Sequence, residues 1–145
     1  MMKPLLLIAF SLFFGTLQAQ WQESFEDALE LAEEANKPIV LVFSGSDWCA
    51  PCIRFKRNIL DSEDFKDYSE SHYVLYNADF PRKKKNKLPL EKLNSNKSLA
   101  AQFNPHGYFP LIVVLDKEKS LLGKTGFDKR ASPKEFISLL NNFVR

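Results

Sequence analysis

Apolar positions along this chain fall into two kinds of run, continuous blocks and helically spaced stripes. "SFEDALELAEEANK" (24–37) is a stripe: Phe25, Ala28, Leu29 and Ala32 share one helical face. Ser24 can cap its start with Asp27 three residues on, and Pro38 stops it. "IVLVF" (39–43) is a block, β-branched and suited to a strand buried on both faces. "CIRFKRNIL" follows as a helix, a second helical stretch spans 64–69, and "YVLYNAD" (73–79) is the next strand. After a short helix, "KSLAAQF" (97–103), "FPLIVVLD" (109–116) and "LLGKTGF" (121–127) read as strands. The turn "KEKS" between them is short enough for a hairpin, and Gly123 and Gly126 weaken the second strand. Ser132 caps the last helix, Pro133 takes its first position, and Glu135 completes the capping box. Phe136, Leu139, Leu140 and Phe143 form its apolar stripe. The order α-β-α-(α)-β-α-β-β-α predicts an α/β fold, a central mixed β-sheet flanked by helices on both faces.

The first twenty residues, "MMKPLLLIAFSLFFGTLQAQ", break from this pattern. Lys3 precedes an apolar run from Leu5 to Leu17, and Ala19 offers a small residue for cleavage, the anatomy of a secretory signal peptide. The run is short of the about 20 apolar residues that span a bilayer, although an uncleaved anchor is the alternative. The expectation is a signal peptide over 1–19 and one domain over 20–145, working where disulfides persist.

Composition changes the picture little. The chain has 145 residues, 45% of them hydrophobic, with 13 phenylalanines. That suffices for one domain with a real core and no added cross-links. A formal charge of +2 implies no polyanionic partner for the whole molecule, hence no nucleic acid, and a monomer is expected. The one biased segment is 82–97, with seven basic residues and one acid, Glu91. A solvated lysine-rich loop is the plain reading of it. Recognition of an acidic partner or a membrane surface is the alternative.

The chemistry concentrates in "SGSDWCAPCIRFKRNIL" (44–60), which holds both cysteines of the chain. A structural zinc site needs four ligands, and His72 and His106, the only histidines, make no second close pair, so no metal and no cofactor is expected. A structural disulfide is the serious alternative. Its chain-entropy contribution would be small, about 2 kcal/mol for a four-residue loop against about 3 for fifteen. A redox pair fits the placement, because the motif follows a buried strand and opens a helix. There, unpaired N–H groups and the helix dipole favour a thiolate on Cys49. Cys52, one turn in and expected to be more buried, would resolve a mixed disulfide. Pro51 fixes φ between them, and Trp48 offers a broad apolar surface beside the thiol, or ordinary packing. Arg54, Lys56 and Arg57 add positive potential that Asp47 opposes, or simply form a solvated face.

"DWCAPC", the apolar strand before it, "YFP" (108–110), the hairpin after it and "KTGF" (124–127) together resemble the thioredoxin superfamily. The similarity is greatest to small exported members with "SGSDWC" before the motif and "DFPRKKK" after the next strand. The resemblance implies a thioredoxin fold and thiol–disulfide oxidoreductase activity. Cys49 then corresponds to the nucleophile and Cys52 to the resolving cysteine. Pro110 corresponds to the cis-proline facing them, Phe109 to the position that tunes redox poise, and Gly126 to a glycine of the substrate groove. It further implies disulfide-containing protein substrates, a membrane thiol electron donor and a periplasmic location. The alternative is a peptide-binding or chaperone module with a permanent disulfide.

Two departures accompany the match. Phe43, six residues before Cys49, stands where such proteins bury an aspartate, and Leu75 where a lysine often pairs with it, so no buried base is expected beside Cys52. "FNPHGYFP" is a residue longer than the usual loop, and its His106 is either solvated or able to approach the sulfurs.

Overall fold

The computed structural model describes residues 21–145, so the expected signal segment lies outside the described residues. Helix α1 is Phe25–Ala35, capped by the Ser24 hydroxyl, which accepts the Asp27 N–H, and ended by Asn36 in the left-handed region at φ 52°. Strand β1 is Ile39–Ser44. Helix α2 (Ala50–Phe55) runs into a π-helical turn, Lys56–Leu60, and α3 is Glu63–His72. Strand β2 is Val74–Asp79, a 3₁₀ turn spans Lys84–Asn86, and α4 is Leu90–Phe103. Strands β3 (Leu111–Leu115) and β4 (Leu121–Thr125) form the hairpin, and α5 is Pro133–Val144 with its capping box complete.

The sheet order is β2-β1-β3-β4, with β1 parallel to β2 and antiparallel to β3. The mixed sheet is as expected. Trp21 adds a single parallel bridge to Leu75 at the outer edge, an addition the pattern did not announce. Because side chains alternate along a strand, the apolar blocks divide cleanly. Ile39, Leu41, Phe43, Val74, Tyr76 and Val113 meet α1 and α4 on one face. Val40, Val42, Leu75, Ile112 and Val114 meet α2, α3 and α5 on the other. Strands covered on both sides need no polar alternation, which is why they read as continuous blocks.

Three elements differ from expectation. Helix α4 begins at Leu90 rather than 97, so half of the supposed basic loop is helix. Only Asn96, Leu99 and Phe103 of it are buried, which leaves too narrow a stripe to register in the sequence. Strand β3 starts after Pro110, which has no N–H to pair. Strand β4 ends at Thr125, before Gly126. Of the two glycines near β4, packing requires Gly123, where a Cβ would fall 2.3 Å from the Phe143 ring.

Candidate active site

The cysteines lie where β1 hands over to α2. Gly45 makes the turn: its carbonyl accepts the N–H groups of Trp48 at 3.3 Å and Cys49 at 2.9 Å. The Trp48 indole closes over it, and a Cβ on Gly45 would lie 2.2 Å from that ring. Cys49 is the N-cap of α2, and its Sγ accepts the Cys52 N–H at 3.3 Å. That satisfies one of the donors a helix start leaves open. The two sulfurs are bonded to each other, with their Cα atoms 5.2 Å apart. A helix N-terminus is a position whose open N–H groups and dipole favour an anionic sulfur.

The expected contrast in burial is not seen, since Cys49 is 5% exposed and Cys52 4%. Their neighbours differ instead. Cys49 follows Trp48 at the rim. Cys52 lines a cavity of about 670 Å³ shared with Ser44, Asn77 and Asp79. Those three continue the α2-facing side of β1 and β2 where the apolar residues end. Asp79 accepts the Ser46 N–H (2.9 Å) and its hydroxyl, while the Ser44 hydroxyl donates to Asn77 Oδ1 at 2.8 Å, with Asp79 further off at 3.3 Å. Phe43 packs on the opposite face against α1 and α4, so it is not the residue beneath the cysteines. Strand alternation turns Phe43 away and Ser44 toward the Cys52 cavity. The carboxylate on the cysteine side comes from β2.

Two irregular segments frame the pair. Phe80 to Asn86 forms the first. The Trp48 indole N–H donates to the Phe80 carbonyl at 2.7 Å, and the Arg82 guanidinium stacks 3.7 Å above the indole. Asp47 accepts the N–H groups of Arg82 (2.9 Å) and Lys83 (3.0 Å) and the Asn86 side-chain amide (2.9 Å). The Arg82 N–H bond, then the Asn86 bond, pull its carboxyl down to about 2. Asp47 thus anchors the basic segment rather than opposing the helix charges. Asn104 to Pro110 forms the second. Buried Asn104 donates to the Tyr108 carbonyl (2.8 Å) and accepts the Tyr108 N–H (2.9 Å), closing the longer loop on itself. Gly107 at φ 70° makes its turn, and the Phe109–Pro110 peptide is cis. The Phe109 ring stands edge-on to Trp48 at 5.5 Å and to Phe80 at 5.8 Å.

Trp48, Cys49, Cys52, Phe109 and Pro110 therefore belong to one neighbourhood. Gly126 lies just past β4, where an added Cβ meets nothing within 4 Å. His106 is exposed, with its ring 6.1 Å from Tyr108. Lys56 pairs with Asp61 at 2.7 Å on the surface. Gly45, Asp79, Arg82 and Asn104 are site residues that the sequence pattern does not single out. Two of them carry a local turn signal, Gly45 in a Ser-Gly pair and Asn104 in an Asn-Pro pair.

Residues 20–117 match the family model described as thioredoxin-like. The chain belongs to the thioredoxin-like family. Over 109 residues it is 41% identical to a protein of Chlamydia pneumoniae named disulfide bond reductase DsbH, covering 75% of this chain and 63% of that one. It is 25% identical to the thioredoxin-related protein DsbJ of the same organism, covering 86% of this chain and 38% of the other. The chain thus spans less than two thirds of the length of these curated relatives. A solved DsbH oxidoreductase superposes with TM-score 0.78 at 35% identity, over 87% of this chain and 85% of that one. A thioredoxin from Thermus thermophilus reaches 0.63 at 18% identity, over 86% and 85%, and shares the fold.

Proposed function

We propose that this chain is an exported thiol–disulfide oxidoreductase that reduces protein disulfides through Cys49 and Cys52. The observation that carries the reading is the Cys49 sulfur at the α2 N-cap, bonded to Cys52 and accepting its N–H. The relatives named as a disulfide bond reductase and an oxidoreductase support it. In the reduced protein, the Cys49 thiolate attacks one sulfur of a substrate disulfide and the other sulfur leaves as a thiolate. Cys52 loses its proton and attacks Cys49 Sγ. The mixed disulfide breaks, the second substrate thiolate departs, and two electrons have left the Cys49–Cys52 pair. Asp79 lines the same cavity as Cys52, which places a carboxylate on the Cys52 side of the sheet.

Trp48, Phe109 and Pro110 form the surface on which an extended substrate segment lies, with Gly126 at its far margin. Regeneration needs a dithiol, which in the periplasm a membrane thiol donor would deliver. Among the described residues no helix is long and apolar enough to cross a membrane.

The test is Cys52→Ala, which should accumulate substrates as mixed disulfides on Cys49. A protein that traps nothing would instead be a binding module with a permanent disulfide. The reduction potential then sets direction: about −250 mV fits a reductase and about −130 mV an oxidant. Resistance to reduction well below about −300 mV would sink the redox reading.

A further inference from the structure

The cationic segment after β2 is fastened to the two residues immediately before Cys49. Asp47 holds its backbone through Arg82 and Lys83 and its turn through Asn86, and Trp48 carries the Arg82 guanidinium. We propose that Lys83, Lys84, Lys85 and Lys87, presented by this anchored turn, form a docking surface for an acidic stretch of the polypeptide that brings the target disulfide. The proposal rests on the redox reading above.

The side chains are free to take that role. The Lys83 charge acts on Asp47, but the hydrogen bonds of its carboxylate go to the Arg82 N–H, the Lys83 N–H and the Asn86 amide rather than to the lysine ammonium groups. All four lysines are exposed. The ion pairs among the described residues, Lys56–Asp61 and Arg130–Asp128, lie elsewhere. A loosely tethered lysine run would be only a solvated face. Here the 3₁₀ turn Lys84–Asn86 and its anchor hold the backbone that carries the charge in place, so on binding only the lysine side chains remain to be ordered. Held next to Cys49, the charge raises the local concentration of anionic chains at the thiol. The position also selects a polypeptide over a lipid surface. A flat membrane engaged by this turn would press on the adjoining Trp48 rim and close it to substrate, whereas a flexible acidic segment would not.

The test uses three peptides with one disulfide and identical cores, flanked by four glutamates, four glutamines or four lysines. Reduced protein should react with the acidic peptide about tenfold faster than with the neutral one at low salt. The ratio should fall toward one as salt screens the charges. In the variant Lys83→Gln, Lys84→Gln, Lys85→Gln, Lys87→Gln, the acidic-to-neutral ratio should collapse to near one even at low salt. A ratio unchanged by the substitutions, or insensitive to salt, overturns the proposal. So does lysine-dependent binding to anionic vesicles without any acidic-peptide preference, which would make the turn a membrane contact. No reaction with any of the three peptides would instead remove the redox reading on which the docking rests.

Discussion

The two segments that frame the cysteines solve the same problem with opposite materials. Phe80 to Asn86 is cationic and exposed, and a carboxylate outside it, Asp47, holds it to the motif. Asn104 to Pro110 is closed from within by the buried amide of Asn104 and delivers a half-buried Phe109 and a buried Pro110. Neither segment could rely on a regular ladder, so each concentrates its backbone hydrogen bonds on one polar side chain. The difference divides labour: the outer segment can select what approaches, and the inner one fixes the surface against which the disulfide reacts. Trp48 touches both, through Arg82 and Phe80 on one side and Phe109 on the other.

The largest effect should come from removing what both segments share. Gly45→Ala places a Cβ 2.2 Å from the Trp48 ring, and the indole cannot yield without losing its bond to Phe80 and its contact with Phe109. Overpacking of this kind costs about 1–3 kcal/mol. Denaturant unfolding should show a loss in that range, with turnover on every disulfide substrate reduced together. A variant with full turnover would mean that the Trp48 position does not matter to the site.

Asn104→Ala should separate the segments. It removes two hydrogen bonds at a residue only 4% exposed, and losses of about 1–2 kcal/mol are expected where such groups go unsatisfied. Turnover should fall because Phe109 and Pro110 are less well placed. The ratio of acidic to neutral peptide rates should not change, because the cationic segment keeps its anchor. A change in that ratio would show that the two segments are coupled rather than independent.

Much of this arrangement was legible in the chain. The continuous blocks gave the buried strands, and Ser132-Pro133-Lys134-Glu135 announced the start of α5 in full. The cysteine motif located the chemistry because its position between a strand and a helix is itself physical information. What stayed hidden depends on contacts between distant residues. Asp47 looked like a stray negative charge because its partners lie 35 to 39 positions away. Phe43 looked like the residue under the cysteines because an offset counted along the chain carries no strand face, and one residue reverses the face. Ser44-Gly45 marks a turn, but not the need for a bare Cα, which comes from where the Trp48 ring comes to rest.

The smallest effect, and the one confined to the outer segment, is its response to acid. The Asp47 carboxyl sits at about 2 in the folded protein against 3.8 in the unfolded chain, chiefly because the Arg82 N–H and the Asn86 amide bond to its charged form. A depressed carboxyl stabilises the anchored arrangement above the unfolded value. That contribution falls as pH drops from about 4 toward 2, and it is gone below both values. Amide exchange of Arg82 and Lys83 should therefore be protected at neutral pH and lose its protection across that window. Tyr108, closed by an amide that does not titrate, should keep its own as long as the fold persists. Asp47→Asn should shift the outer segment to its acid behaviour at every pH and lower the acidic-peptide preference, with turnover on the neutral peptide little changed. If Arg82 and Tyr108 instead lost protection together, the two segments would form one unit, and the division between selecting and positioning would fail.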